Sequence, residues 1–126
     1  MRKFVYIIFL VFVTVACGQQ KENAYNAEEF IKLKEQNKDL VLLDVRTPPE
    51  LSGNLGKIDG VINIPLQELN SRVGELEEYK DKEIVLICRS GRRSGIATDI
   101  LLKKGFTAYN LEGGMIGYRL QEKKNE

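Results

Sequence analysis

The chain of 126 residues is 43% hydrophobic and 29% charged, which suits one folded domain and excludes a collagen-like, repeat-built or wholly disordered protein. With 19 Lys and Arg against 18 Asp and Glu it carries no basic field for gripping nucleic acid. It has no histidine and two cysteines, Cys17 and Cys88, which excludes Ser-His-Asp triads, Cys-His proteases, two-histidine zinc sites and four-ligand zinc knuckles; neither a metal nor a cofactor is expected.

Arg2 and Lys3 precede an apolar run over residues 4–13, followed by Thr14, Val15, Ala16 and Cys17. This is the pattern of a secretory signal sequence, and the run is shorter than the roughly 18 residues a spanning helix needs. Small Ala16 before Cys17 resembles the lipobox of bacterial lipoproteins. That resemblance implies removal of residues 1–16 and lipidation of Cys17 as the new N-terminus. It also implies a place on the extracytoplasmic side of the bacterial cell envelope, with membrane contact through the lipid anchor only. Residues 17–23 then comprise the lipidated cysteine and a polar, flexible tether, and residues 24–126 form the domain. About 100 residues suffice to bury roughly two thirds of the surface the unfolded chain exposes. With Cys17 acylated, Cys88 is a lone thiol.

Asn26 and Glu29 form a capping box, with Tyr25 and Phe30 placed as a hydrophobic staple, which predicts a helix over residues 27–36. Continuous apolar runs predict strands covered on both faces over residues 40–45 and 84–87, and a shorter strand is expected over 61–64. Beyond Pro65, the spacing of Leu66, Leu69, Val73 and Leu76 marks one face of a helix. A further helix carries Ile96, Ala97, Ile100 and Leu101, has Lys103 and Lys104 in its last turn, and stops at Gly105; a final strand fits residues 107–111. The alternation predicts an α/β fold with a mainly parallel central sheet and helices on both faces, whose site lies at the carboxyl ends of strands.

Cys88 stands directly after the most apolar strand, with the helix expected six or seven residues on. The connection Cys88-Arg89-Ser90-Gly91-Arg92-Arg93-Ser94 wraps backbone N–H groups into an anion-binding cradle at a helix N-terminus. The same field favours a thiolate, so no histidine is needed to activate the cysteine. A cysteine ending a buried strand is ordinarily an inert hydrophobe, and an arginine cluster is ordinarily solvated surface. Gly91, which permits the tight turn, together with three arginines and the strand-to-helix placement, favours a reactive anion-binding thiol.

That loop resembles the active-site loop of single-domain rhodaneses, and Leu43-Asp44-Val45-Arg46-Thr47-Pro48 with Glu50 resembles their first strand and its exit. The similarity continues through Gly60-Val61-Ile62-Asn63-Ile64-Pro65-Leu66, Gly105-Phe106 and Asn110-Leu111-Glu112-Gly113-Gly114, covering residues 26–118. The resemblance implies a rhodanese-like fold and sulfur transfer through a persulfide on Cys88. The donor would be a small anion such as thiosulfate, and the acceptor an external thiol or a cyanide-like species. Arg89, Ser90, Gly91, Arg92, Arg93 and Ser94 would form the substrate-binding loop, with Arg89 and Arg93 expected to contact the donor. Asp44 and Arg46 would either support the pocket or form a plain structural pair.

Phosphatases of this fold need Cys-x5-Arg to surround a phosphate, whereas here the spacing is Cys88-x4-Arg93 and position 94 is Ser94, which argues against phosphatase activity. The stretch Gly53-Asn54-Leu55-Gly56-Lys57-Ile58 has neither the glycine spacing nor the hydroxyl residue of a P-loop. Two departures from the family bear on access to Cys88. The connection after Glu50 and Leu51 is about two residues longer than usual, and Tyr118 replaces a tryptophan ahead of a charged tail. Two other readings compete: a non-catalytic module that binds anions or a protein through the same cradle, and a redox sensor. The sensor is disfavoured because no second cysteine is in reach to resolve an oxidised Cys88.

Overall fold

The computed structural model describes residues 23–126. The expectations for the signal segment, for Cys17 and for most of the tether lie outside the described residues. Among the described residues no helix is long and apolar enough to cross a membrane. Sheet pairing begins at Asn23, whose carbonyl accepts the Asn110 N–H at 2.8 Å, one residue ahead of the expected domain start.

The elements run β1 (Ala24–Tyr25), α1 (Ala27–Gln36), β2 (Val41–Asp44), α2 (Pro48–Leu51), β3 (Ile62–Asn63), α3 (Leu66–Arg72), a 3-10 segment (Val73–Tyr79), β4 (Glu83–Ile87), α4 (Arg92–Lys103), β5 (Thr107–Leu111) and α5 (Gly114–Lys124). All strand pairs are parallel, in the order β1-β5-β4-β2-β3. Asn26 caps α1 as expected, the Glu29 N–H donating to its Oδ1 at 2.8 Å, but the return contact of the box comes from the Asn26 side-chain amide, which donates to Glu29 Oε1 at 3.1 Å in place of the backbone N–H. The Leu66-to-Leu76 helix is the one predicted element that divides: regular α-helix gives way at Val73 to a 3-10 segment. Leu69 and Leu76 are buried nonetheless, so the apolar face survives the change of winding.

Strand alternation divides the core in two. Ile84, Leu86 and Cys88 turn to the face covered by α3 and α4, with Val41, Leu43, Leu69, Leu76, Ala97 and Leu101. Val85 and Ile87 turn to the other face, with Phe30 of α1 and with Met115 and Tyr118 of α5. β4 is thus sealed on both sides, which is why its sequence is an unbroken apolar run.

Two helices depart from the sequence expectation. Pro48–Leu51 folds as one helical turn, entered through two prolines and a Thr47-x-x-Glu50 spacing. Residues 114–124, for which no helix is expected from the sequence, form α5, whose Met115 and Tyr118 are buried while its residues beyond Tyr118 are not. Its apolar stripe is too narrow to announce a helix by periodicity, and packing on α1 supplies the rest.

Candidate active site

The two central neighbours β2 and β4 send their following connections to opposite sides of the sheet, one to β3 and the other to β5. Parallel α/β sheets open a crevice at such a point, beyond the carboxyl ends of the strands. Register places Asp44 beside Ile87 and Leu86 beside Asn110. Asp44, Cys88 and Asn110 therefore arrive at one edge from three adjacent strands.

Cys88 is 1% exposed and continues the inward row of β4 onto the α4 side. The chain then reverses within three residues, and Gly91 takes a φ of +99° that an L side chain rarely adopts. α4 begins at Arg92, two or three residues earlier than expected, so its first turn lies directly against the sulfur. The Gly91 N–H donates to Cys88 Sγ at 3.0 Å, and the Ser94 hydroxyl lies 3.2 Å from it. Burial pushes the thiol pKa up. The Ser94 hydroxyl and the N–H groups of Ser94, Gly91 and Ser90 outweigh it, and the pKa falls below the ordinary cysteine value.

A second helix holds the backbone of the same loop. The Met115 and Ile116 N–H groups at the start of α5 donate to the carbonyls of Cys88 and Arg89, at 2.8 and 3.1 Å. With those carbonyls drawn toward α5, the following N–H groups are free to turn toward the sulfur. Gly114 makes this approach possible: a Cβ there would stand 2.5 Å from the Cys88 carbonyl oxygen and 2.6 Å from Arg89 backbone atoms. Gly114 therefore sets how closely α5 can approach the loop.

The three arginines do not converge. Arg93 forms a bidentate pair with Glu50 of α2, at 2.7 and 2.9 Å. The guanidinium expected to contact the donor is thus held by a carboxylate 43 residues away. Glu50 also accepts from the Thr47 N–H and hydroxyl. Led by the Arg93 contact, these hydrogen bonds hold its pKa at about 2. Arg92 is exposed and borders a groove with Gly95, Ile96 and Asn110 on the outer side of α4. Arg89 is also exposed. It borders a cleft of about 320 Å³ whose other walls include Arg46, Glu50, Leu55 and Ile116. Of the two expected contact arginines, Arg89 is the one left available.

Asp44 and Arg46 form a buried ion pair, 0% and 1% exposed, with Arg46 Nη2 2.8 Å from Asp44 Oδ2. The same nitrogen donates to the Gly56 carbonyl at 2.8 Å, and Nη1 reaches the Glu50 carbonyl. The pair is structural, and its second set of contacts shapes the pocket by fixing α2 and the lengthened connection behind it. Arg119 closes the other end of that connection, donating to the Leu55 and Lys57 carbonyls. Tyr118 lies elsewhere: it packs on Phe30 with ring centroids 5.8 Å apart, in the core on the other face of the sheet from Cys88. The expected effect of Tyr118 on access to Cys88 is not realised.

Three contributors had no role assigned from sequence: Glu50, Asn110 and Gly114. Glu50 was visible in the Thr47-x-x-Glu50 spacing. Asn110 and Gly114 act through contacts across the fold that no local pattern records.

The chain belongs to the rhodanese-like domain family, whose model matches residues 26–121. A sulfurtransferase of Allochromatium vinosum is 32% identical over 97 residues, covering 76% of this chain and 87% of that protein. A thiosulfate sulfurtransferase of Escherichia coli is 34% identical over 73 residues, covering 58% of this chain and 68% of its own length. The crystal structure of a rhodanese-related protein from Thermoplasma volcanium superposes with a TM-score of 0.69 at 35% identity, covering 79% of this chain and 92% of that one.

Proposed function

We propose that the protein is a sulfurtransferase that carries sulfane sulfur on Cys88. The observation that carries this reading is the Cys88 sulfur at the mouth of α4, met by the Gly91 N–H at 3.0 Å and the Ser94 hydroxyl at 3.2 Å. An orphan N–H at a helix start stabilises a thiolate and then the terminal sulfur of a persulfide without any base. In the first half-reaction the thiolate attacks the outer sulfur of thiosulfate. A new S–S bond forms, the old one breaks, and its electron pair departs with sulfite. In the second, an acceptor thiolate attacks the terminal sulfur, and the Cys88 thiolate is the leaving group. Each half-reaction conserves charge and needs no outside oxidant. Arg89, exposed at the adjoining cleft, steers the anionic donor.

The test is thiosulfate-dependent sulfur transfer to a small thiol or to cyanide, monitored by the sulfite released. Turnover is expected in the wild type and none in Cys88→Ser; turnover retained in that variant sinks the mechanism. We further propose that Cys17 is lipidated and tethers the domain to the extracytoplasmic face of the cell envelope. Membrane attachment and globomycin-sensitive processing are then lost in Cys17→Ala, whereas unchanged processing indicates ordinary signal cleavage.

A further inference from the structure

Ser94 has one hydroxyl hydrogen and two groups that compete for it. Its Oγ lies 2.6 Å from Asn110 Oδ1 and 3.2 Å from Cys88 Sγ. The side chain is fully buried, so bulk water offers no third partner. The orientation of Asn110 is set at its other end: Nδ2 donates to the Gly91 carbonyl at 3.1 Å, and that carbonyl can only accept. Oδ1 therefore faces Ser94, and two oxygens at 2.6 Å need a hydrogen between them.

In the neutral site that hydrogen comes from Ser94, whose lone pair is left to receive the Cys88 S–H. In the thiolate the sulfur can only accept. The Ser94 hydrogen then turns to the buried Sγ, and Asn110 Oδ1 is left 2.6 Å from an oxygen with no hydrogen between them, a loss that opposes ionisation. We infer that Asn110 is a positioning residue that withholds the Ser94 hydroxyl from Cys88 and so sets how readily the thiol ionises. This rests on reading Cys88 as the nucleophile, whatever the sulfur donor. Once sulfur is loaded, Sγ becomes a neutral, weakly accepting atom, and the hydrogen returns to Asn110. The hydroxyl thus turns once in each direction per transfer.

The charged groups around the sulfur are otherwise paired or exposed. Arg93 from α4 is held by Glu50 from α2, Asp44 at the end of β2 by Arg46, and the loop arginines Arg89 and Arg92 are exposed. α5 contributes the Met115 and Ile116 N–H groups, which are spent on carbonyls. Asn110 itself is uncharged and reaches the sulfur through Ser94.

The experiment is the pH dependence of iodoacetamide alkylation in the full chain, read from the mass of the Cys88-containing peptide. No sulfur donor is involved. Asn110→Leu frees the Ser94 hydrogen, and the midpoint falls by about one pH unit. Asn110→Asp keeps the shape, holds the hydrogen more strongly and adds negative charge, and the midpoint rises by about one unit or more. In a Ser94→Ala background, Asn110→Leu leaves the midpoint where Ser94→Ala alone puts it. Asn110→Ala serves where the leucine variant fails to fold. A rise with Asn110→Leu, the result of merely loosening the Gly91 anchor, overturns the inference. So does a fall that persists without the Ser94 hydroxyl. The predicted shifts in a protein that accepts sulfur from no donor support this inference and sink the transfer reading.

Discussion

Helices α4 and α5 begin in the same way and serve opposite ends of one residue. Each starts on a glycine in the left-handed region, Gly91 at φ +99° and Gly113 at +75°, and neither has a side-chain cap. The N-terminus of α4 directs hydrogen-bond donors at the sulfur of Cys88, while α5 gives the N–H groups of Met115 and Ile116 to the carbonyls of Cys88 and Arg89. The two caps nearly touch, since a Cβ on Gly91 would stand 3.1 Å from the Gly113 nitrogen. Orphan N–H groups at a helix start must find a partner. Those of α5 find a permanent one within the protein. Those of α4 find a side chain whose charge and chemistry change in the proposed reaction, and that difference separates the structural helix start from the one proposed to be reactive.

Changes to the two starts should therefore have different consequences. Gly114→Ala attacks the permanent contact, driving a Cβ into the Cys88 carbonyl at a φ of +54°. Stability should fall by about 3–5 kcal/mol in chemical denaturation, with sulfur transfer lost as the loop is displaced. Arg46→Met tests the brace behind the site. It leaves Asp44 buried without its partner and should cost about 3–5 kcal/mol, with the connection at Gly56 loosened as seen by proteolysis. Cys88→Ser removes the changeable partner of α4 and leaves the α5 contacts intact. It should shift stability by about 1 kcal/mol or less while abolishing transfer. A large destabilisation there would show that both helix starts are structural.

The smallest effect concerns the pair that holds Arg93. Glu50 is held at about 2 in the fold against an ordinary 4.5, so its stabilisation is complete above pH 4.5 and is lost as pH falls toward 2. Glu50→Gln should lower stability at neutral pH and flatten this acid arm, with the variant and wild-type curves converging near pH 2. Both side chains are about 30% exposed, at 29% and 33%, so added salt should narrow the gap between the curves.

What could be read from the sequence was what the chain determines over a few neighbours. The cap at Asn26 and the stop at Gly105 set helix ends by local hydrogen bonding, and the apolar run of β4 marked the central strand and hence the place of Cys88. The Cys88-to-Ser94 loop was legible because strand end, turn and helix start are consecutive. α5 was not, because its stability comes from packing Met115 and Tyr118 rather than from its own pattern. The Arg93–Glu50 pair was not, because three arginines in six residues gave no way to tell which one meets a carboxylate on a different element. The same limit hid Asn110, whose hold on Ser94 depends on the register of β5 against β4.

The proposed sulfur transfer runs through Cys88. The measurement is the mass of the Cys88-containing peptide from the full chain after incubation with thiosulfate, before and after addition of a small thiol. A gain of one sulfur atom at Cys88, released by the thiol, is the predicted result. A Cys88 that is readily alkylated yet gains no sulfur from thiosulfate or from a low-molecular-weight persulfide would contradict it.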